Sequence, residues 1–155
     1  IFSSLQKIYY WCSAEGFKDN IKTSKSLNSG LLDGIKLPNG RLKWLNNENL
    51  NYTVADFKKS GFKGSLNRYR AQEIDWHELK ELDKLSIIPP SLFIGGEYDP
   101  VRRFIKDYDA YKNAGKFCEN FKGSHIIKDA GHWVQQEKPN EVNKIIRNFL
   151  IDLKN

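Results

Sequence analysis

The feature that most constrains the fold is a short apolar run that begins after two prolines. Pro89 and Pro90 precede the segment SLFI at residues 91–94, and Gly95 and Gly96 follow it. A continuous apolar run of this length, bounded by proline and glycine, is typical of a strand that is buried on both faces of a parallel sheet. The chain before this point carries no such run, so its character changes near residue 86.

A strand, helix, strand, helix order is predicted from there to the end of the chain. One helix is predicted by apolar residues at helical spacing, before a stop at Gly115: Val101, Phe104, Ile105, Tyr108 and Tyr111. Residues 124–128 predict a second short strand, and a last helix begins at Pro139 with one apolar stripe that we expect to be core. This order is typical of α/β proteins, in which a right-handed crossover joins two parallel strands. Because two strands do not form a stable sheet alone, the rest of the sheet is expected from residues outside this chain.

The preceding part of the chain is predicted to consist of helices and loops. Residues 1–14 have an amphipathic helical pattern, whereas residues 17–39 are rich in Lys, Ser, Asn and Gly and predict a long surface loop. Three more helices are expected: one from Asn46 or Asn47 to Gly61, one over residues 65–72, and one over residues 75–82 with Asp75 as its N-cap. We therefore divide the chain into a helical segment, 1–85, and an α/β part, 86–155.

Composition excludes several classes of function. The net charge of +6 is spread over the chain without a basic run interleaved with aromatic residues, so a solvated basic surface is expected rather than nucleic-acid binding. The apolar runs are too short for a membrane span, and no signal peptide is evident at Ile1. Cys12 and Cys118 are far apart and predict unpaired thiols, which favours a cytoplasmic location. The absence of methionine suggests that the chain is a fragment or a trimmed product.

An acid and a histidine follow the two predicted strands at similar distances. Asp99 comes after the first strand and His132 after the second, and parallel strands bring such positions to one edge of the sheet. A carboxylate that orients a histidine is the arrangement of a general base. From spacing alone, Asp99 as a helix cap and His132 as a loop histidine remain an alternative. Glu97 is a second choice for the acid, and His77 and His125 are expected at the surface without zinc spacing.

Three segments resemble epoxide hydrolases of the α/β-hydrolase family. Residues 131–143, GHWVQQEKPNEVN, are similar to that family's catalytic-histidine block, and residues 92–101, LFIGGEYDPV, resemble its acid-bearing strand and turn. Residues 60–70, SGFKGSLNRYR, with Trp76 shortly after, are similar to its cap motif. The resemblance implies the C-terminal part of an α/β-hydrolase fold preceded by a helical cap, or lid. It further implies Asp99 as the acid, His132 as the base, and Tyr69 as the proton donor to the epoxide oxygen.

The resemblance also implies what must lie outside this chain. The family uses a carboxylate nucleophile on a strand-to-helix turn, and no Gly-x-Asp-x-Gly or Gly-x-Ser-x-Gly sequence is present. An N-terminal half is therefore the expected partner, a small apolar epoxide the expected substrate, and the chain alone is expected to be inactive. Trp133 and Val101 flank the predicted pair and are expected to shape the pocket wall, with core packing as the alternative. Because the reaction consumes only water, no cofactor and no metal is expected.

Two other functions remain open at this point. The chain could belong to another α/β-hydrolase, such as an esterase or a dehalogenase, in which Tyr69 is only structural. It could also be a non-catalytic partner domain that keeps the fold without the chemistry. The presence of Asp99, His132 and Tyr69 together favours an enzyme over the second of these.

Overall fold

A computed structural model describes residues 1–19 and 28–154 of the chain. Its first half is helical, with elements α1 Phe2–Cys12, α2 Ala14–Lys18, α3 Asn47–Ser60, α4 Lys63–Arg70 and α5 Gln72–Glu78, and then a 3-10 helix, Lys80–Lys84. Its second half contains β1 Ser91–Gly96, a 3-10 helix Pro100–Arg103, β2 Phe121–Ile127, α6 Val134–Glu137 and α7 Pro139–Asp152. The order of the predicted strands is confirmed.

The helix predicted over residues 1–14 is divided at Ser13. Ser13 has an extended backbone, is buried, and its hydroxyl accepts a hydrogen bond from the Gly16 amide at 3.1 Å, so it caps α2. The predicted loop therefore begins only after Lys18. Of that loop, residues 20–27 lie outside the described residues, and residues 28–39 form turns without a helix or strand.

The prediction for α3 is confirmed at both ends. The Asn46 side chain accepts a hydrogen bond from the Asn49 amide at 2.7 Å, and Gly61 ends the helix with a φ of 65°, which glycine adopts at little cost. Leu50 and Val54 bury one face of α3 against Leu5 of α1. The two halves of the helical segment are thereby packed together.

The next two helices begin earlier than the sequence predicted. Helix α4 spans Lys63–Arg70 and α5 spans Gln72–Glu78. The prediction that Asp75 is an N-cap is wrong, because Asp75 lies inside α5 and its carboxylate pairs with Arg68 at 3.3 Å. The Asp75 carboxylate therefore forms an ion pair with the preceding helix and does not cap α5.

Strands β1 and β2 pair in parallel, as predicted. Phe93 is opposite Ser124 and Gly96 is opposite Ile127. A small core lies against the C-terminal end of the sheet and contains Ile127, Ala130, Val134 and Val142. Glycine is required at 96, because a Cβ there would lie 2.1 Å from the Gly131 carbonyl oxygen. The turn after β2 thus packs directly on the end of β1.

The helix predicted between the strands, over residues 101–114, is wrong. Only the 3-10 turn Pro100–Arg103 forms, and successive turns follow it. Asp107 has a φ of 59°, which a right-handed helix does not allow. The Asp109 carboxylate accepts the Tyr111 amide at 3.0 Å and pairs with Arg102. These side-chain bonds compete with helical backbone bonds and favour turns.

The last helix forms as predicted, but its apolar stripe is only partly core. Helix α7 has Pro139 in its first turn and runs to Asp152. Val142 is buried, whereas Leu150 is 53% exposed. The stripe extends beyond the two strands that could cover it, so its outer part faces solvent in this chain. Across the described ranges, no helix has the length and apolar character that a membrane span requires.

Candidate active site

The ends of β1 and β2 bring Asp99 and His132 together. Parallel pairing continues past the strands, since the Glu97 amide donates to the Ile127 carbonyl at 3.0 Å and the Tyr98 amide donates to the Ala130 carbonyl at 2.9 Å. The two following turns are therefore held side by side. Nδ1 of His132 lies 2.9 Å from Oδ2 of Asp99. This is hydrogen-bond distance for a carboxylate and an imidazole.

The Asp99 carboxylate is buried and receives three donors. It is only 5% exposed. Oδ2 accepts from His132 and from the Tyr111 hydroxyl, and Oδ1 accepts from the Val101 amide at 2.9 Å. Burial alone would raise the pKa of Asp99, but the bonds from His132, Tyr111 and Val101 together lower it below its ordinary value. Asp99 is therefore a carboxylate at neutral pH.

The His132 ring is fixed on one side and open on the other. Its side chain is 42% exposed. The hydrogen bond to Asp99 raises the pKa of His132, although burial acts in the opposite direction. In the neutral ring, Nδ1 carries the proton donated to Asp99, so Nε2 presents a lone pair. Among the described residues, none hydrogen-bonds to Nε2. The ring is thus oriented as a base that can take a proton from an outside molecule.

The loop that carries His132 is attached to the helical segment. The His132 amide donates to the Cys12 carbonyl at 2.8 Å. Glu137 accepts the amides of both neighbours of His132, Gly131 at 3.0 Å and Trp133 at 3.2 Å, through Oε1. Its other oxygen accepts the Ala14 amide at 2.9 Å. Burial raises the pKa of Glu137 despite these three amide donors.

The tight contact between that loop and α1 explains a second glycine. A Cβ on Gly131 would lie 2.5 Å from the Cys12 carbonyl oxygen and 2.6 Å from the Ala14 nitrogen. Backbone therefore packs on backbone at this point, which only glycine allows. The break between α1 and α2 and the loop before His132 form one unit.

Trp133 and Val101 both lie beside the pair. The Trp133 ring is half-buried, lies 5.0 Å from the His132 ring and 5.0 Å from the Tyr9 ring, and its Nε1 donates to the Tyr9 carbonyl at 3.0 Å. Val101 is half-buried and contributes its amide to Asp99. An aromatic wall, made of Trp133 and Tyr9, thus stands next to the histidine.

The other residues named from the sequence are not part of this cluster. Tyr69 lies on α4, is 69% exposed, and makes no hydrogen bond to any described residue that the structure records. The Glu97 carboxylate accepts the Asp129 amide at 3.2 Å rather than His132, so it is not the orienting acid. His77 and His125 are exposed.

Two residues at the site were missed by the sequence reasoning. Tyr111 was assigned to the face of a helix that does not form, and Glu137 was included in the histidine block without a role. A buried carboxylate needs more donors than one histidine supplies, and this requirement signals that a residue such as Tyr111 must exist. The sequence carries no signal of which residue it is.

The fold and the site together define a class of protein. An acid and then a histidine, placed at the carboxyl ends of neighbouring parallel strands, form the C-terminal part of an α/β-hydrolase. No family model matches the chain. Individual proteins do match it, and several of them are epoxide hydrolases.

Two relatives from Mycobacterium tuberculosis illustrate the sequence similarity. Epoxide hydrolase B is 37% identical over 120 residues, which are 77% of this chain and 33% of that protein. Epoxide hydrolase A is 37% identical over 125 residues, or 80% of this chain and 37% of that protein. The chain therefore spans about a third of the length of these relatives.

Solved structures show the same relationship. Epoxide hydrolase A from Mycobacterium thermoresistibile has a TM-score of 0.81 and 28% identity, covering 96% of this chain and 45% of its own. An epoxide hydrolase from an endophytic Streptomyces has a TM-score of 0.83 and 30% identity, covering 99% of this chain and 46% of its own. This chain belongs to the α/β-hydrolase fold and is homologous to the C-terminal part of its epoxide hydrolases.

Proposed function

We propose that this chain is the water-activating part of an epoxide hydrolase that converts a small apolar epoxide into a vicinal diol. The observation that carries the proposal is the Asp99–His132 hydrogen bond, which leaves Nε2 of His132 open toward solvent. The homology to epoxide hydrolases favours this chemistry over that of an esterase or a dehalogenase.

In the first step, a carboxylate outside this chain attacks one epoxide carbon. The carbon–oxygen bond of the ring breaks, and the leaving oxygen takes a proton from the Tyr69 hydroxyl. The product is an ester between the carboxylate and a hydroxyalkyl group. A phenol placed at this oxygen stabilises the negative charge as it develops, an effect worth about 10²–10³ in rate.

In the second step, His132 activates water. Nε2 removes one proton from a water molecule, whose oxygen attacks the carbonyl carbon of the ester. The ester carbon–oxygen bond then breaks, and the diol leaves while the carboxylate is restored. Asp99 stabilises the imidazolium that forms in between and keeps the ring in the tautomer that exposes Nε2. Of the two protons of that water, the one left on the new carboxyl group passes to the leaving alkoxide and completes the diol, and the one on His132 returns to the Tyr69 phenolate.

The position of Tyr69 is compatible with the role of proton donor. It lies in the last turn of α4, the helix that follows the corner at Gly61, and the rings of Phe57 and Phe62 pack at 4.7 Å across that corner. The corner therefore holds α4 in a defined direction. The Tyr69 side chain is exposed, so it is accessible to a substrate molecule.

An N-terminal half that supplies the nucleophile and most of the sheet is part of the proposal. The described sheet has two strands, fewer than an independent sheet requires. Several large apolar side chains in the part of the chain from α5 to β1 are exposed, among them Trp76 at 71%, Leu82 and Ile88. Apolar surface of this kind is expected where more protein packs against it.

The ester intermediate offers a direct test in the protein that joins this chain to its N-terminal half. The variant H132Q is expected to form the ester but not to hydrolyse it, so its intact mass increases by the mass of a probe such as 1,2-epoxyhexane. The matched control is H125Q, which changes an exposed histidine on β2 and is expected to turn over without accumulating an adduct. Undiminished diol formation by H132Q would exclude His132 as the base. An adduct on a serine, which would be an ether rather than an ester, would indicate a serine nucleophile such as that of an esterase.

A further inference from the structure

We infer that Tyr111 is a positioning residue for the acid–histidine pair, because its hydroxyl donates to Oδ2 of Asp99, the same oxygen that accepts Nδ1 of His132. The inference deepens the proposed function and rests on it for its relevance to turnover. The hydrogen bond between Tyr111 and Asp99 is observed in the structure and does not depend on that function. Tyr111 thus completes a line of three groups, phenol, carboxylate and imidazole.

The space for the Tyr111 ring is built into β1. A Cβ on Gly95 would lie 2.5 Å from Cε2 of Tyr111, so a glycine at this position lets the ring pack on the strand. The Phe93 ring meets it edge to face, with centroids 4.6 Å apart. Two residues of β1, Phe93 and Gly95, therefore define the height and tilt of the ring.

The backbone of Tyr111 is held as firmly as its ring. Its amide donates to Oδ1 of Asp109 at 3.0 Å, and its carbonyl accepts the Ser124 hydroxyl at 3.2 Å. Arg102 pairs with Asp109 at 2.6 Å and also lies over the ring, 5.8 Å from its centre. The connection between the strands thus forms no α-helix, and several of its contacts hold Tyr111 in place.

The shared oxygen determines how strongly Asp99 acts on His132. A donor to a carboxylate stabilises its charged form and takes up part of its hydrogen-bonding capacity. Burial first, and then the bond to Asp99, raise the pKa of Tyr111, so the phenol stays protonated and remains a donor. Without the Tyr111 hydroxyl, His132 is the main donor to Oδ2 of Asp99, so the carboxylate stabilises the imidazolium form of His132 more strongly. The pKa of His132 is therefore expected to rise when the Tyr111 hydroxyl is removed.

The test is the titration of His132, followed by NMR without substrate in the protein that joins this chain to its N-terminal half. Y111F keeps the ring over Gly95 and removes only the hydroxyl, and its titration midpoint is expected to move upward. The matched control is Y108F, which removes a hydroxyl from the same connection and is expected to leave the midpoint unchanged. A purely structural role for Tyr111 predicts no shift in Y111F, because packing is preserved. An unchanged midpoint would overturn the inference.

A second measurement uses the opposite perturbation. Difluorotyrosine at position 111 has a more acidic hydroxyl and is a stronger donor, so the His132 midpoint is expected to move downward. A shift in the same direction as that of Y111F would also overturn the inference. Neither titration involves an epoxide. A failed ester-trapping experiment would therefore refute the proposed function and leave the assignment of Tyr111 to be decided by these midpoints.

Discussion

At the scale of single residues, the site depends on a buried carboxylate that stays ionised. Three donors compensate for the burial of Asp99. The sequence predicted His132 as a partner, and the alternative of a helix cap predicted a backbone amide, which is that of Val101. The order and spacing of Asp99 and His132 could be predicted because parallel strands end at one edge of the sheet. The Tyr111 bond could not, because it depends on a tertiary contact between a connection and a strand.

The pH dependence of stability follows from the two shifted groups. Burial raises the pKa of Asp99, but its hydrogen-bond donors lower it below the ordinary value. The contribution of Asp99 to the free energy of unfolding is therefore complete above the ordinary pKa of about 3.9 and is lost as the pH falls through the lower pKa of the folded state. The pKa of His132 is raised by Asp99, so its contribution is complete below about 6.5 and is lost as the pH rises through the higher folded value.

Urea denaturation over a pH series checks this expectation. In the wild type, the free energy of unfolding is expected to rise between acid and neutral pH and to decline at higher pH. D99N is expected to show neither the rise nor the decline. The control variant is D107N, which changes an exposed aspartate. Asp107 has a left-handed backbone conformation, and asparagine also tolerates this conformation, so the stability curve of D107N should follow that of the wild type. Parallel curves for D99N and the wild type would show that the pair does not couple to folding.

At the scale of elements, local signals predicted the parts that local chemistry decides. Helix α3 begins at an asparagine cap and ends at a glycine with positive φ, and both features are visible in the sequence. The break of the first helix at Ser13 and the absence of the helix after Asp99 were not predicted. The first depends on a partner distant in sequence, because Gly131 packs on the Ser13 backbone. The second depends on side-chain bonds within the connection, where Asp109 accepts the Tyr111 amide and pairs with Arg102.

The loop before α6 offers a prediction at the same scale. Glu137 accepts the amides of Gly131, Trp133 and Ala14, and a glutamine there would place an NH₂ group against at least one of these donors. E137Q is therefore expected to lower the free energy of unfolding by about 1–3 kcal/mol. E141Q, on the exposed side of α7, is the control and should change it little. Equal stability of the two variants in urea would mean that the three amides find other partners.

At the scale of the whole molecule, the described residues bring Asp99 and His132 together at the edge of a sheet that has two strands. The described residues form two parallel strands, and the chain spans about a third of the length of its curated relatives. The need for further strands could be inferred from the sequence, because two strands are too few to be stable. The exposure of Trp76, Leu82 and Ile88 could not be inferred in the same way, because it depends on how the helices pack.

The most direct measurement is diol formation from an epoxide by the chain alone and by the same chain joined to an N-terminal half with a glycine-flanked aspartate. We expect no turnover by the chain alone, and turnover in the joined protein that H132Q abolishes and H125Q retains. Turnover by the chain alone at an ordinary enzymatic rate would refute the proposed function, as would a folded, active joined protein in which H132Q has no effect.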